Sequence, residues 1–129
     1  MSAQEEIAAL ANEFFATFTR NDMKAAADML SDDLEVFDHV PYRFDNKQQF
    51  VEFLRGAMAG IETCSAGLRQ LSCRVFNDSA AVANGYDTFT AVTKAGKAQT
   101  LHGRTTLVFA KQGGKWKIVS CHFSPLPHA

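Results

Sequence analysis

Residues 62–123 read ETCSAGLRQLSCRVFNDSAAVANGYDTFTAVTKAGKAQTLHGRTTLVFAKQGGKWKIVSCHF, and the punctuation of this stretch decides the fold. Four extended runs, roughly 63–76, 80–93, 98–110 and 115–123, are rich in β-branched and aromatic residues. They are separated by the turn signals Asn77-Asp78-Ser79, Lys94-Ala95-Gly96-Lys97 and Gln112-Gly113-Gly114. Long strands joined by short Asn/Asp/Gly turns predict consecutive antiparallel hairpins. Gly67, Gly85 and Gly103 fall inside the strands, where a glycine commonly marks a bulge or bend, so the sheet is expected to curl.

Upstream the period changes from two to three or four. Ser2-Ala3-Gln4-Glu5 has the form of a capping box, and Ile7, Leu10, Phe14 and Phe18 then mark the apolar face of a helix to about Arg20. Asn21 and Asp22 end it and cap a short second helix with Ala25, Ala26, Met29 and Leu30 as its buried stripe, closed by a turn at Ser31-Asp32-Asp33. Leu34 to His39 reads as a short strand. After the break at Pro41, Asp45-x-x-Gln48 repeats the capping logic, and Phe50, Phe53, Leu54 and Met58 predict a third helix ended by Gly60. Helices followed by a meander make an α+β architecture: three N-terminal helices packed on a strongly curved, mostly antiparallel sheet, in one domain spanning 1–129.

Composition narrows the partners. The 129 residues are 47% hydrophobic and 21% charged, with 13 Lys and Arg against 14 Asp and Glu for a net charge of -1. Such a chain has no overall cationic field, so neither a nucleic acid nor an anionic membrane is expected as a partner. The charge is nevertheless unevenly spread: residues 1–60 carry 5 basic and 11 acidic side chains, residues 61–129 carry 8 and 3. Cys64, Cys73 and Cys121 show no metal-ligand spacing and are odd in number, which argues against a disulfide framework and a cysteine zinc site. With no basic leader followed by an apolar run, and no long apolar segment, a soluble cytoplasmic protein without metal or cofactor is expected.

The order of elements resembles the cone-shaped α+β fold of the nuclear-transport-factor-like superfamily, which includes SnoaL-like polyketide cyclases, ketosteroid isomerases and the association domain of calcium/calmodulin-dependent kinase. The segments that carry the resemblance are Asn21-Asp22, Leu30 to Asp38, Gly103 to Phe109, and Gly114 to Ser124; the last is particularly similar to SnoaL-like proteins and the kinase module. The resemblance implies a pocket between the concave sheet face and the helices, and a convex face that supports dimerisation. It identifies a fold that hosts enzymes, binders and assembly modules alike.

Matching the isomerase pattern onto the strands turns Val119, Cys121 and Phe123 inward, with Thr105, Leu107 and Phe109 beside them and Ala83, Gly85, Asp87 and Phe89 beyond. The opposite face then gathers Tyr86, His102, Arg104, Trp116, Ile118 and His122, together with Thr88 and Thr106, a mixture suited to a homodimer interface. Ligand contacts are expected from Phe14 and Phe18 of the first helix, Val36 and Phe53, and His39 and Tyr42 at the mouth. The sheet would add Phe89, Thr105, Leu107, Val119, Cys121 and Phe123.

Asp38 stands where the resemblance places the isomerases' proton-shuttling carboxylate. Desolvation would raise its pKa toward a range useful for a general base; the alternative is a loop-bonding aspartate with no chemical role. Asp87 is the second inward carboxylate in this register, and a one-residue slip would bring Tyr86 inside instead. The isomerases' oxyanion donors match Phe14 and Thr105, of which phenylalanine cannot donate, so steroid isomerisation is not expected. His102 and His122 share a face without a third ligand and are read as interface hydrogen-bonding groups rather than a metal site, and Cys121 as an inert buried thiol. The expected function is binding of a small hydrophobic or carbonyl-containing metabolite, with Asp38 moving a proton in a cofactor-independent isomerase-, cyclase- or hydratase-like step. The alternative is a non-catalytic association domain. Against it, the kinase module's pocket arginines would fall near the apolar Leu107 and Phe123.

Overall fold

Ser2 opens the first helix with both halves of a capping box: its hydroxyl accepts from the Glu5 amide and its own amide donates to the Glu5 carboxylate, each at 3.1 Å. In the computed structural model, which describes residues 1–127, this helix is α1 (Ala3–Thr19). Asp22 caps α2 (Met23–Asp28) by accepting from the Ala25 amide at 3.1 Å. Strands β1 (Leu30–Phe37) and β2 (Arg43–Phe44) precede α3 (Lys47–Ala59), and the chain then runs through β3 (Ile61–Phe76), β4 (Ala80–Thr93), β5 (Ala98–Gln112) and β6 (Lys115–Pro125). No helix among the described residues is long and apolar enough to cross a membrane.

The four long strands form the expected meander, and the turns explain why. Asn77 and Asp78 both adopt positive φ, as do Gly113 and Gly114 in the two-residue turn between β5 and β6, the backbone that matches strand twist in a tight hairpin. β1 joins the meander by pairing parallel to β6, and the two-residue β2 closes the edge, giving the order β2-β1-β6-β5-β4-β3 in a curved, open sheet. α1 lies across β3, and α3 packs on β1 and α2. The result is the cone-shaped α+β fold, its narrow end filled by fully buried Ile7, Leu34, Val36, Leu107 and Ile118. Each such aliphatic side chain contributes about 1.5–3 kcal/mol of burial.

Four local readings change. β1 begins at Leu30, so Ser31-Asp32-Asp33 lies within the strand: the Ile118 amide of β6 donates to the Met29 carbonyl at 2.9 Å and draws this segment into the sheet, with a register shift between Leu30 and Glu35. The cap of α3 is Asn46, one residue later than expected, accepting from the Gln49 amide at 2.9 Å, because Asp45 is engaged by Arg43. The irregularities in β3 lie between Ile61 and Thr63 and between Arg69 and Ser72, where Gln70 has φ 52°, and not at an interior glycine. Finally, a bulge between Val108 and Phe109 pairs Val108 with Ser120 but Phe109 with Ile118. The extra residue reverses the face of everything before it on β6. Trp116 and Ile118, expected on the outer face, are buried in the core, and Trp116 is withdrawn from the expected interface.

Candidate functional site

At the wide end of the cone the side chains stop short of one another and leave a cavity of about 260 Å³. The helical spacing of α1 brings Phe14, Phe15 and Phe18 to one wall, Phe14 and Phe18 meeting edge to face at 5.2 Å between centroids. Phe50, Phe53, Leu54 and Ala57 of α3 form the opposite wall, and Phe89, Leu101 and Phe123 of the sheet form the floor. A lobe of about 190 Å³ adjoins it past Phe18, Leu54 and Phe89, ending at Gln99. One larger groove elsewhere is lined mainly by charged and polar side chains such as Asp32, Lys47, Glu52 and Arg55, and another mixes Leu10, Met29, Phe109 and Trp116 with Glu6, Asp28, Lys115 and Lys117.

Three polar side chains enter this hydrocarbon lining: Asp38, His39 and Asp87. Asp38 follows β1 directly. Val36 sits opposite Cys121 on the inner face, and alternation carries Asp38 to the same side. Its carboxylate accepts from the His39 backbone amide at 2.7 Å. Burial, and then the negative charge of Asp87, raise its pKa above the ordinary carboxylate value, while the His39 hydrogen bond and charge oppose the rise. Desolvation, and after it the negative charge of Asp38, push the buried Cys121 thiol well up, so it is chemically quiet.

Asp87 is only 8% exposed, and the Thr105 hydroxyl donates to its Oδ2 at 2.6 Å. It pairs across β4 and β5 with Gly103, and a methyl group at Gly103 would stand 3.0 Å from both carboxylate oxygens and 2.7 Å from the Ser124 carbonyl. The glycine is therefore the space in which the carboxylate sits. Tyr86, 36% exposed, lies on the other face beneath the Arg69 guanidinium, 5.4 Å from its ring centroid.

Of the contacts expected from sequence, Phe14, Phe18, His39, Phe53, Phe89 and Phe123 line the cavity with both aspartates. Val36, Leu107 and Cys121 lie outside its lining, packed in the narrow end of the cone, and Thr105 sits buried under Asp87. Val119 is half-buried beside the bulge, and Tyr42 is 57% exposed, its ring edge-on to Phe44 outside the cavity. Phe15, Phe50, Leu54, Ala57 and Leu101 complete the lining without having been assigned to it. Phe53, Leu54 and Ala57 follow Phe50 at the i+3, i+4 and i+7 positions of one helix face, and Leu101 pairs with Phe89, so helical spacing and strand pairing would have found them. His102 and His122 both lie on the exposed outer sheet face, four residues out of register: His122 pairs with Thr106, and His102 accepts or donates a hydrogen bond with Thr88 at 3.2 Å. Among the described residues no cluster of three or more His, Cys, Asp or Glu is placed to hold a metal ion.

Residues 7–128 match the family model described as a SnoaL-like domain. None of the curated proteins matches the chain. Solved structures do. A nuclear transport factor 2-like superfamily protein from Salmonella enterica is 23% identical, with TM-score 0.84 over 97% of this chain and 92% of that one. A candidate calcium/calmodulin-dependent protein kinase II association domain from Xanthomonas campestris is 25% identical, with TM-score 0.84 over 96% and 88%. A candidate scytalone dehydratase from Novosphingobium aromaticivorans is 13% identical, with TM-score 0.81 over 89% and 78%; that likeness is one of fold.

Proposed function

The chain belongs to the SnoaL-like domain family, and from that premise we propose that it acts as one domain that binds a small hydrophobic metabolite, carbonyl compounds included, in the aromatic cavity, with Asp38 exchanging a proton with the ligand. The observation that carries this reading is a half-buried carboxylate of raised pKa facing a lining that is otherwise almost entirely hydrocarbon. In that setting the acid form of Asp38 donates to a carbonyl oxygen and the base form removes an adjacent proton. A cavity of about 260 Å³ exceeds the roughly 150 Å³ that holds benzene and falls below the roughly 300 Å³ of drug-sized sites, which fits one or two rings. Steroid isomerisation stays outside the proposal: Phe14 has no donor, and the Thr105 hydrogen is committed to Asp87.

The test is a carboxyl-directed NMR titration of Asp38 alongside a titration with benzylacetone, followed on the resonances of the lining phenylalanines. The expected result is a midpoint above the ordinary value of about 3.9 that moves when the ketone binds. An ordinary midpoint, or a ketone that leaves those resonances unmoved, refutes it.

A second element of the proposal is a homodimer formed through the outer face, in a protein we propose to be cytoplasmic. It presents Tyr86, His102, Arg104 and His122, with the Phe37 ring, 53% exposed, 5.7 Å from that of His122. Arg104→Glu, which faces Tyr86 across β4 and β5, is expected to convert the dimer to monomer in sedimentation equilibrium. A monomeric wild type, or a ring-sized oligomer, refutes the dimer; the ring would favour an association role.

A further inference from the structure

The cavity lining is unbalanced in both charge and hydrogen-bonding capacity. Two carboxylates face it and no lysine or arginine does. Arg104, on the strand that carries Thr105, is exposed on the outer face with Tyr86. Among the lining side chains only the His39 ring can donate when both aspartates are ionised. Asp87 is more than nine-tenths buried, and while its Oδ2 accepts from Thr105, Oδ1 takes no hydrogen bond from the described residues. That oxygen is not sealed in the core, where Trp116 Nε1 is the buried side-chain atom without a partner among the described residues, but opens to the cavity, whose hydrocarbon walls offer it no donor. Seven phenylalanine rings make up most of the remaining lining. Their faces carry the negative end of the ring quadrupole and attract cations, most strongly where water is excluded.

We infer that the ligand of this cavity is an organic cation, a compact aromatic ammonium whose nitrogen lies between Asp38 and Asp87 and whose hydrocarbon part packs among the phenylalanines. This rests on the cavity being a ligand site, as proposed above, and narrows the class of ligand. An ammonium supplies what the lining lacks: N–H donors for the free carboxylate oxygens, and a positive charge for two aspartates that otherwise repel. A neutral ketone supplies a further acceptor, which the lining accommodates only when Asp38 is protonated. The two classes therefore make opposite demands on Asp38, and acidification weakens the ammonium while favouring the ketone. The titratable groups around Asp38 are His39, Asp87 and Cys121.

The experiment compares phenethylammonium with its uncharged isostere propylbenzene and with the ketone benzylacetone, by NMR titration of the full chain near pH 7, where the amine is protonated. Phenethylammonium is expected to bind at least about tenfold tighter than either neutral probe. Asp87→Asn keeps an acceptor for Thr105 and is expected to erase that preference. The wild-type ratio decides the matter even if a variant misfolds. Neutral probes that match or exceed the ammonium overturn the inference, as does a preference that persists in both Asp38→Asn and Asp87→Asn. Binding of benzylacetone alone overturns the cation and leaves the proton-exchange reading standing; silence from all three probes overturns both.

Discussion

Replacing Gly103 by alanine puts a methyl group where the structure has none to spare. The new Cβ would lie 2.7 Å from the Ser124 carbonyl and 3.0 Å from both oxygens of Asp87. The Ser124 carbonyl is fixed in the β5–β6 ladder, where Arg104 pairs with Ser124 and Gly103 with Pro125. Either the strands separate or the Asp87 carboxylate turns away and loses its 2.6 Å bond from Thr105. Overpacking of this kind costs about 1–3 kcal/mol, and a hydrogen bond to a charged group is worth about 1.5–3 kcal/mol. The two share one rearrangement and do not add fully, so Gly103→Ala is expected to destabilise by about 2–4 kcal/mol. Urea unfolding should show the loss as a lower midpoint at unchanged slope. Gly67→Ala is the matched control, since nothing lies within 4 Å of its added methyl group; its stability is expected to stay level or rise by up to about 1 kcal/mol. If Gly103→Ala proves as stable as Gly67→Ala, Gly103 is not the seat of Asp87 and the described floor of the cavity is wrong.

Three further outcomes follow from the same geometry. The pKa of Asp38 is raised in the folded protein, so ionisation of this group weakens folding as pH rises from the ordinary carboxylate value through the raised one; Asp38→Asn should therefore melt higher than wild type near pH 7, and the gap should close in acid below about pH 3.9. A lower melting temperature for Asp38→Asn at neutral pH would contradict the burial argument. Thr105→Val removes the donor to Asp87 and should lower stability by about 1.5–3 kcal/mol in urea unfolding, with Thr105→Ser restoring most of it; equal losses in the two variants would point to packing instead. Ala57→Trp, at an exposed rim position of α3, should abolish probe binding in the NMR titration with a stability change within about 0.5 kcal/mol, and undiminished binding would place the ligand elsewhere.

The meander was legible because its turns are chemical: Asn77-Asp78 and Gly113-Gly114 tolerate positive φ, and the strands between them alternate cleanly. What escaped was non-local. Leu30 to Asp33 carries the composition of a helix end and turn, and becomes a strand because β6, almost ninety residues later, supplies its partner. Trp116 and Ile118 alternate correctly with Val119 and Cys121 only in an unbulged strand, and nothing in the residues around Val108 announces the extra residue. The cavity was legible as a set of phenylalanines at helical spacing, yet its depth was not: that Val36, Leu107 and Cys121 fill the narrow end and leave the wide end empty depends on how far the sheet curls.

The segment Gly103-Arg104-Thr105 shows how one strand serves both faces. Gly103 and Thr105 point inward, the first leaving room for the Asp87 carboxylate and the second donating to it, while Arg104 between them lies on the outer face opposite Tyr86. Read singly, the glycine is a bend and the threonine a poor stand-in for an oxyanion donor. Read together across the ladder, they form a seat that fixes one carboxylate oxygen and leaves the other free toward the cavity. A carboxylate held this way is preorganised for a ligand that brings donors or charge. Asp38 has only its neighbour's amide to hold it, and on the proposed reading it is the partner whose proton moves.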